Sequence, residues 1–464
     1  MNKPYAIKSG LRLLAKIILR LEWFWIACMI VGFWFRSPPF RENYVFLLGF
    51  AIPIYGARWI VHRRFFTRTP LDWTFLIFIL LSVYNFYNAP ISRSDYWVLL
   101  CRPFLGFLIV YYFVDSVRQR GHTRYVTAAT VLLGILIGLL ALVASQWGAS
   151  PKSDLFMFII ERLPVLDYRQ VLPDMQLSFN PNEIAGALAY FCSFLLAIAL
   201  APSQLNDVQK VSFVDRALQL IIHYGSIIGF MIVALALLLG QSRFALFGVF
   251  AGTLLVILLI LPDWKRRLSG LVVWSLVVIL EVMIVANLLP LNFSSTEGSS
   301  IETSVTLSER DERTLSSRFD LWESALRMVL DYPTTGAGMS TYRALIMREE
   351  YITPLYEGRQ YGPPHAHNVF FQMGADFGVM GFVLFMAWYG SVAWMAFQTY
   401  QKSSNHFKIM TIGITSGILA YMGYGMGDTI TLWDRFAFIH WWFIGLLTSV
   451  YILQRYIITS DISS

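Results

Sequence analysis

The sequence predicts an all-α integral membrane protein with about twelve transmembrane helices. Three observations lead there. Only 14% of its 464 residues are charged and 56% are hydrophobic. Soluble domains carry roughly 25% charged residues, so this chain cannot cover itself with charge. Its apolar residues gather in runs of roughly 20, enough to cross a ~30 Å hydrocarbon core as helices. The alternating segments of roughly ten residues that mark a membrane barrel are missing.

The expected spans, in order, are 19–35, 44–62, 71–88, 97–115, 126–147, 183–202, 217–240, 243–262, 269–290, 377–400, 409–427 and 435–455. Basic clusters punctuate them: Lys3 to Arg20, Arg58 to Arg68, Arg118 to Arg124, Lys265 to Arg267, and Lys402 with Lys408. With twelve spans these clusters share one side. The positive-inside rule then puts both termini in the cytoplasm. The net charge of +7 reads as loop charge that sets topology and meets membrane lipids, not as a nucleic-acid footprint. The basic N-terminus lacks a small-residue cleavage site before the next polar loop, so the first run reads as a retained helix. Cys28, Cys101 and Cys192 all lie in apolar runs and suggest neither a disulfide framework nor a metal cluster.

Two outward loops are long. The first, 148–182, contains "FIIERLP", read as a short interfacial helix. The second gives the domain division: 1–290 with nine spans, a loop module at 291–376, and 377–464 with the last three spans. The module opens with a Ser/Thr/Glu-rich stretch. It continues as "LSSRFDLWESALRMVLDYP", where Leu315, Phe319, Trp322, Leu326 and Val329 fall at helical spacing. Ser316 or Ser317 is a candidate cap and Pro333 a terminator. The Gly-rich turn "TTGAGMSTY" follows.

The residues able to carry chemistry sit at the outer ends of these spans. His365 and His367, two of seven histidines, lie within "HAHN" where the long loop meets the next span. Histidine can act as a base near neutral pH. The same pair can also cap a helix, or bind zinc as His-x-His, although no third ligand stands at a telling spacing. Asn368 is placed to cap the following helix or to orient a histidine. Arg243, in "LLLGQSRFALFG", lies between two apolar runs and needs a partner, water or the interface. Its planar guanidinium suits phosphate oxygens, and Arg318 on the amphipathic helix is similar. Each has the plainer reading of a surface anchor. "SFNPNEIAGAL" sets Asn180, Asn182 and Glu183 ahead of a helix. Capping accounts for one asparagine, leaving the other for substrate contact. Arg102 and Glu281 fall inside spans and are functional candidates on that ground. Arg102 lies close enough to the outer end to snorkel. Asp428, Asp434 and Arg435 cluster at another outer turn and can pair with one another. A Walker loop, a dinucleotide-binding glycine fingerprint and a zincin helix are all missing, which disfavours a cytoplasmic nucleotide-driven enzyme.

In order and spacing, "FNPNEIAGAL", "QSRFALFG", "SSRFDLWESALRMVLDYPTTGAG" and "HAHNVFFQMGADFGVMGF" resemble the bacterial O-antigen ligase and polymerase superfamily. The resemblance covers roughly residues 178–382. The first five spans match only as membrane helices. It implies a metal-independent, cofactor-free glycosyltransferase in the bacterial inner membrane, with the large helical loop between the ninth and tenth spans in the periplasm. The donor would be a glycan on undecaprenyl pyrophosphate and the acceptor a sugar of lipid A core, in lipopolysaccharide biosynthesis. His367 would be the base, and Arg243 and Arg318 would hold the pyrophosphate. His365, Asn368, Asn182 and Arg102 are the further substrate-binding candidates. Two alternatives stay open: a repeat-unit polymerase of the same superfamily, and a secondary transporter or lipid flippase, which many spans with internal charges would also suit.

Overall fold

The computed structural model describes residues 3–34, 44–90, 96–117, 120–147, 158–164, 179–201, 213–285, 306–353, 357, 362–403 and 405–463. The Ser/Thr/Glu-rich start of the module and most of the first long loop lie outside the described residues. Most of the described residues are helical. Among them no strand forms, apart from an isolated bridge between Ser145 and Phe179.

In chain order the helices are α1 (Lys3–Arg20), α2 (Glu22–Trp34), α3 (Tyr44–Gly49), α4 (Ala51–His62), α5 (Asp72–Asn88), α6 (Tyr96–Ser116), α7 (Arg120–Ala144), α8 (Pro181–Ala199), α9 (Phe213–Gly240), α10 (Arg243–Ile260), α11 (Trp264–Val285), α12 (Thr306–Asp331), α13 (Tyr342–Leu345), α14 (Val369–Lys402), α15 (Asn405–Gly425) and α16 (Ala437–Ser463). Among the described residues, seven helices are long and apolar enough to cross a membrane: α6 to α10, α14 and α16. The described parts of the other five expected segments are also largely helical. α2 is shorter, at 13 residues, and the 44–62 segment is divided at Phe50 into α3 and α4. The basic N-terminus, expected only as loop charge, forms α1, which packs on α4.

Small residues decide how the bundle closes. α10 lies against α15 and both lie against α8. A Cβ at Gly248 would run into the carbonyl of Ala420, and one at Gly252 into Ser193 and the carbonyl of Ser416. Gly248 and Gly252 are four apart, the small-xxx-small spacing that lets membrane helices approach backbone to backbone. This contact sets the start of α10, where Arg243 sits, beside the end of α15.

The amphipathic helix is real, but it starts earlier and its buried face is turned so that only Trp322 and Val329 of the expected row pack against α14. α12 runs Thr306–Asp331, with Pro333 just beyond it. Leu321, Ser324, Ala325 and Met328 are buried, together with Tyr342, Leu345, Ile346, Ala366 and Ala375, in a small core of their own. Phe319, Leu326 and Leu330 are 60%, 47% and 69% exposed. Both rows of the helix are apolar: the row of Leu321, Ala325 and Met328 is fully buried, with Ala325 in one core with Ala375, while Val329 and Trp322 of the expected row reach α14 only at its edge, Val329 against Gly374. Trp322 stacks on Phe371 of α14 at 5.7 Å, and the Tyr342 hydroxyl donates to the Leu321 carbonyl at 2.8 Å.

α14 is broken at Gly378, whose φ of 70° and ψ of −166° are not helical. The break frees carbonyls and an N–H that a buried backbone must satisfy. The turn "PTTGAG" does this. Ala337 N donates to Ala375 O at 2.6 Å, Gly338 N to Asp376 O at 3.2 Å, and Val379 N to Pro333 O at 2.8 Å. Asn85 of α5 donates through Nδ2 to the carbonyls of Asp376 and Thr335.

Candidate active site

Four chain segments bring polar groups to one end of the bundle: the starts of α8, α10 and α14, and the turn 426–436 between α15 and α16. At the start of α14, Asn368 is the expected cap. Its backbone is extended, and Oδ1 accepts from Phe370 N at 2.9 Å and Phe371 N at 3.1 Å. Its Nδ2 donates to the Met426 carbonyl at 2.9 Å, which ties α14 to the 426–436 turn. Just before it, His367 adopts φ 50°, a left-handed conformation that costs a non-glycine residue about 1 kcal/mol or more. This turn brings the His365 and His367 rings to 4.5 Å, edge to face. His367 N donates to His365 Nδ1 at 3.3 Å, and Ala366 N donates to Gln372 Oε1 at 2.8 Å.

The partner that sequence reasoning left elsewhere is Asp428. His367 Nδ1 lies 3.0 Å from its Oδ1, which also accepts from Thr429 N at 2.8 Å. A carboxylate facing Nδ1 holds the neutral ring as the Nδ1–H tautomer. The Nε2 lone pair is then left to take a proton. Burial pushes the Asp428 carboxyl up, but the charge and hydrogen bond of His367, with His365 and Arg318, outweigh it and hold it at about 2. Burial, then the like charge of His367, pushes His365 down to about 3, against the pull of Asp428 and Glu183.

Arg318 joins from α12. Its guanidinium lies over the Phe244 ring at 4.7 Å, and Phe244 packs so closely on Gly427 that a Cβ there would collide with the ring. Burial lowers the Arg318 guanidinium from its usual range, opposed by the Asp428 carboxylate and reinforced by the neighbouring charge of Arg243. Arg243 opens α10 next to Phe244 and is exposed. His365, His367 and Arg318 thus surround Asp428, with Arg243 beside Arg318 and Asn368 tied to the same turn through Met426.

The remaining expected residues sit at the margin. Asn180 caps α8, accepting from Asn182 N at 2.9 Å. Asn182 is partly buried on the first turn behind Pro181. Glu183 pairs with Arg435 through two contacts, at 2.9 and 2.5 Å, so Arg435 and Asp428 turn to different partners. Arg102 is buried and donates to the carbonyls of Trp433 and Phe33. It braces the 426–436 turn from behind and is not brought up to the histidines. Asp428 had a weak signal in sequence, as one of the charges clustered with Asp434 and Arg435 in the outer turn between two apolar helices. Gln372 and Asn85 had none.

His365, His367 and Asp428 each offer a ligand atom, and these lie within 4.8 Å of one another. The third candidate ligand that spacing did not reveal is therefore Asp428.

Residues 228–386 match the family model described as O-antigen ligase. No curated protein matches the chain. The match takes in Arg243, Arg318, His365, His367 and Asn368 and ends before Asp428. It supports the resemblance to the O-antigen ligase and polymerase superfamily. The match spans about a third of the chain, and the helices around it include seven long and apolar enough to cross a membrane among the described residues.

Proposed function

We propose that this protein is a metal-independent O-antigen ligase, moving a glycan from undecaprenyl pyrophosphate to a sugar hydroxyl of lipid A core at the periplasmic face of the inner membrane. One observation carries the reading: two arginines and a carboxylate-backed histidine, far apart in sequence, meet in one place. Three independent interfacial anchors would have no reason to converge.

The chemistry follows from the groups. The acceptor hydroxyl gives its proton to His367 Nε2 as its oxygen attacks the anomeric carbon. The bond from that carbon to the pyrophosphate oxygen breaks. Arg243 and Arg318 take up the charge that develops on the leaving group, which a fixed guanidinium does without reorganisation. Asp428 holds the imidazole in orientation and stabilises the imidazolium that forms, as the acid does in a Ser-His-Asp triad. A single displacement inverts the anomeric centre.

The test is transfer by the purified full chain, with lipid-linked glycan and lipid A core in mixed micelles. His367→Ala should lose about 10²–10⁴-fold in turnover. Asp428→Asn should fall between His367→Ala and wild type, with the donor KM nearly unchanged. EDTA should leave the rate where it was. Wild-type transfer rates in His367→Ala would remove the base from its role. In cells, bare core with accumulated lipid-linked polymer on deletion marks a ligase, whereas core bearing one repeat marks a polymerase.

A further inference from the structure

The proposed base and its two neighbours, His365 and Asp428, also cluster as candidate metal ligands. We infer that His365, His367 and Asp428 bind a borderline transition ion, with Zn2+ the best fit, and that the bound ion switches transfer off. This inference rests on the ligase reading for its effect on activity, but not for the binding itself.

The donor set comes first. Two imidazoles and one carboxylate within 4.8 Å are ligands for Zn2+, Cu2+ or Ni2+. Mg2+ and Ca2+ prefer all-oxygen shells. Bonds of about 2.1 Å in a tetrahedral site set ligand atoms ~3.4 Å apart. His367 Nδ1 and Asp428 Oδ1 stand at 3.0 Å, so a few tenths of an ångström of opening admits an ion between them. A rotamer change at partly buried His365 brings in the third donor, since its ring already touches that of His367 at 4.5 Å. Asp428 and Asn368 stay anchored by Thr429 N and the Met426 carbonyl, so two sides of the site are built before any ion arrives. The charges of Arg318 and Arg343 act on this cluster and Glu183 counters them. The affinity should therefore be below that of a structural zinc site.

The inhibition follows from the tautomer. The proposed base needs its lone pair on Nε2, with the proton on Nδ1 facing Asp428. An ion bound at Nδ1 takes that nitrogen's lone pair, and the neutral ring must then carry its proton on Nε2. His367 becomes a donor where the reaction needs an acceptor. No proton is gained or lost by the ring, and no redox step is involved.

The experiment uses the full chain in detergent. Isothermal titration with Zn2+, and with Co2+ followed by visible absorption, should give one site in wild type that is lost in His365→Ala and in Asp428→Asn. Mg2+ should give no heat. In the transfer assay, ~10 µM free Zn2+ should cut wild-type turnover about tenfold, with recovery on EDTA. In His365→Ala, whatever its residual rate, Zn2+ should change that rate less than twofold. If Zn2+ neither binds wild type nor slows it, or if it slows His365→Ala as strongly as wild type, the inference fails. Should a variant not fold, the wild-type cobalt spectrum decides alone: d–d bands of tetrahedral intensity support the site, and an octahedral spectrum identical to free Co2+ overturns it. Zinc binding without any transfer activity would sink the ligase reading and leave the site standing. Transfer untouched by zinc would do the reverse.

Discussion

His365 sits where a proton would be costly, and that makes it a pH-sensitive element of the fold. Its folded-state value is pushed from the ordinary 6.5 down to about 3, first by burial and then by the charge of His367. The sign follows from which state binds the proton. Between about 6.5 and 3 the unfolded chain protonates this ring and the folded chain does not, so stability falls as pH falls across that window. The slope is at most about 1.4 kcal/mol per pH unit, and contact of the ring with solvent reduces it. Asp428, held at about 2 against an ordinary 3.8, has the same sign but acts only below about pH 4. Thermal midpoints in mild detergent should therefore drop from pH 7.5 to pH 5, and drop less in His365→Gln. Parallel curves for the two proteins would mean that His365 is not the group responsible. Both histidines were legible in sequence because so few occur, and these two fall where a polar loop re-enters an apolar segment. The pairing of His367 with Asp428 was not, because a carboxylate 61 residues further on becomes its partner only when α15 folds back beside α14.

The broken helix α14 shows the same limit at the scale of an element. "PTTGAG" is legible as a turn from its glycines alone. Its partner is not, because the groups it serves, Ala375 O, Asp376 O and Val379 N, are unpaired only after α14 breaks. The two halves fit like a splint. Gly378 has φ 70°, and an added Cβ would strike the Pro333 carbonyl, while Gly336 has φ 66° and faces the 376–377 peptide just as closely. From this splint the order passes to the histidines. Asp376 accepts from Gln372 Nε2 at 2.7 Å and from Ser340 N at 3.2 Å. Gln372 Oε1 in turn accepts from Ala366 N, inside "HAHN". Gly378→Ala combines a left-handed backbone with a clash against fixed backbone. It should destabilise the protein by roughly 2–4 kcal/mol, seen as a lower thermal midpoint in detergent. An unchanged midpoint would show that the break is pliable. Gly390→Ala, on the same helix with nothing within 4 Å of an added Cβ, is the matched control.

Across the whole molecule the chain sorts its charges onto two ends. At one end lie the site and the contacts that frame it: Asn85 with Asp376, Arg102 with Trp433, Glu183 with Arg435 and Asn368 with Met426. At the other, buried Arg58 pairs with Glu22 and Asp115, and Thr67 donates to Asp115 at 2.6 Å. Tyr111 there donates to Asp72 at 2.7 Å, Arg64 reaches the Tyr456 hydroxyl at 3.3 Å, and Thr123 meets His406 at 3.1 Å. Each helix from α5 to α10 and from α14 to α16 joins one end to the other. Arg63, Arg64 and Arg68 after α4, Arg124 on the first turns of α7, Lys265 to Arg267 at the start of α11 and Lys402 at the end of α14 all fall at the end away from the site. The expectation of such an alternation rests on charge spacing alone, because the positive-inside rule acts on loops before any tertiary packing. We infer that the Arg58 end faces the cytoplasm and the histidine end the periplasm, as a lipid-linked glycan requires. The orientation can be read chemically. The three native cysteines, Cys28, Cys101 and Cys192, are partly or fully buried and can be replaced by alanine. In that background a cysteine at exposed Glu349, beyond α13, should react with an impermeant maleimide on intact spheroplasts. One at exposed Lys265, at the start of α11, should react only after the membrane is opened. The reverse pattern would put His367 on the cytoplasmic side, where a periplasmic sugar acceptor could not reach it, and the proposed reaction would fall with the topology.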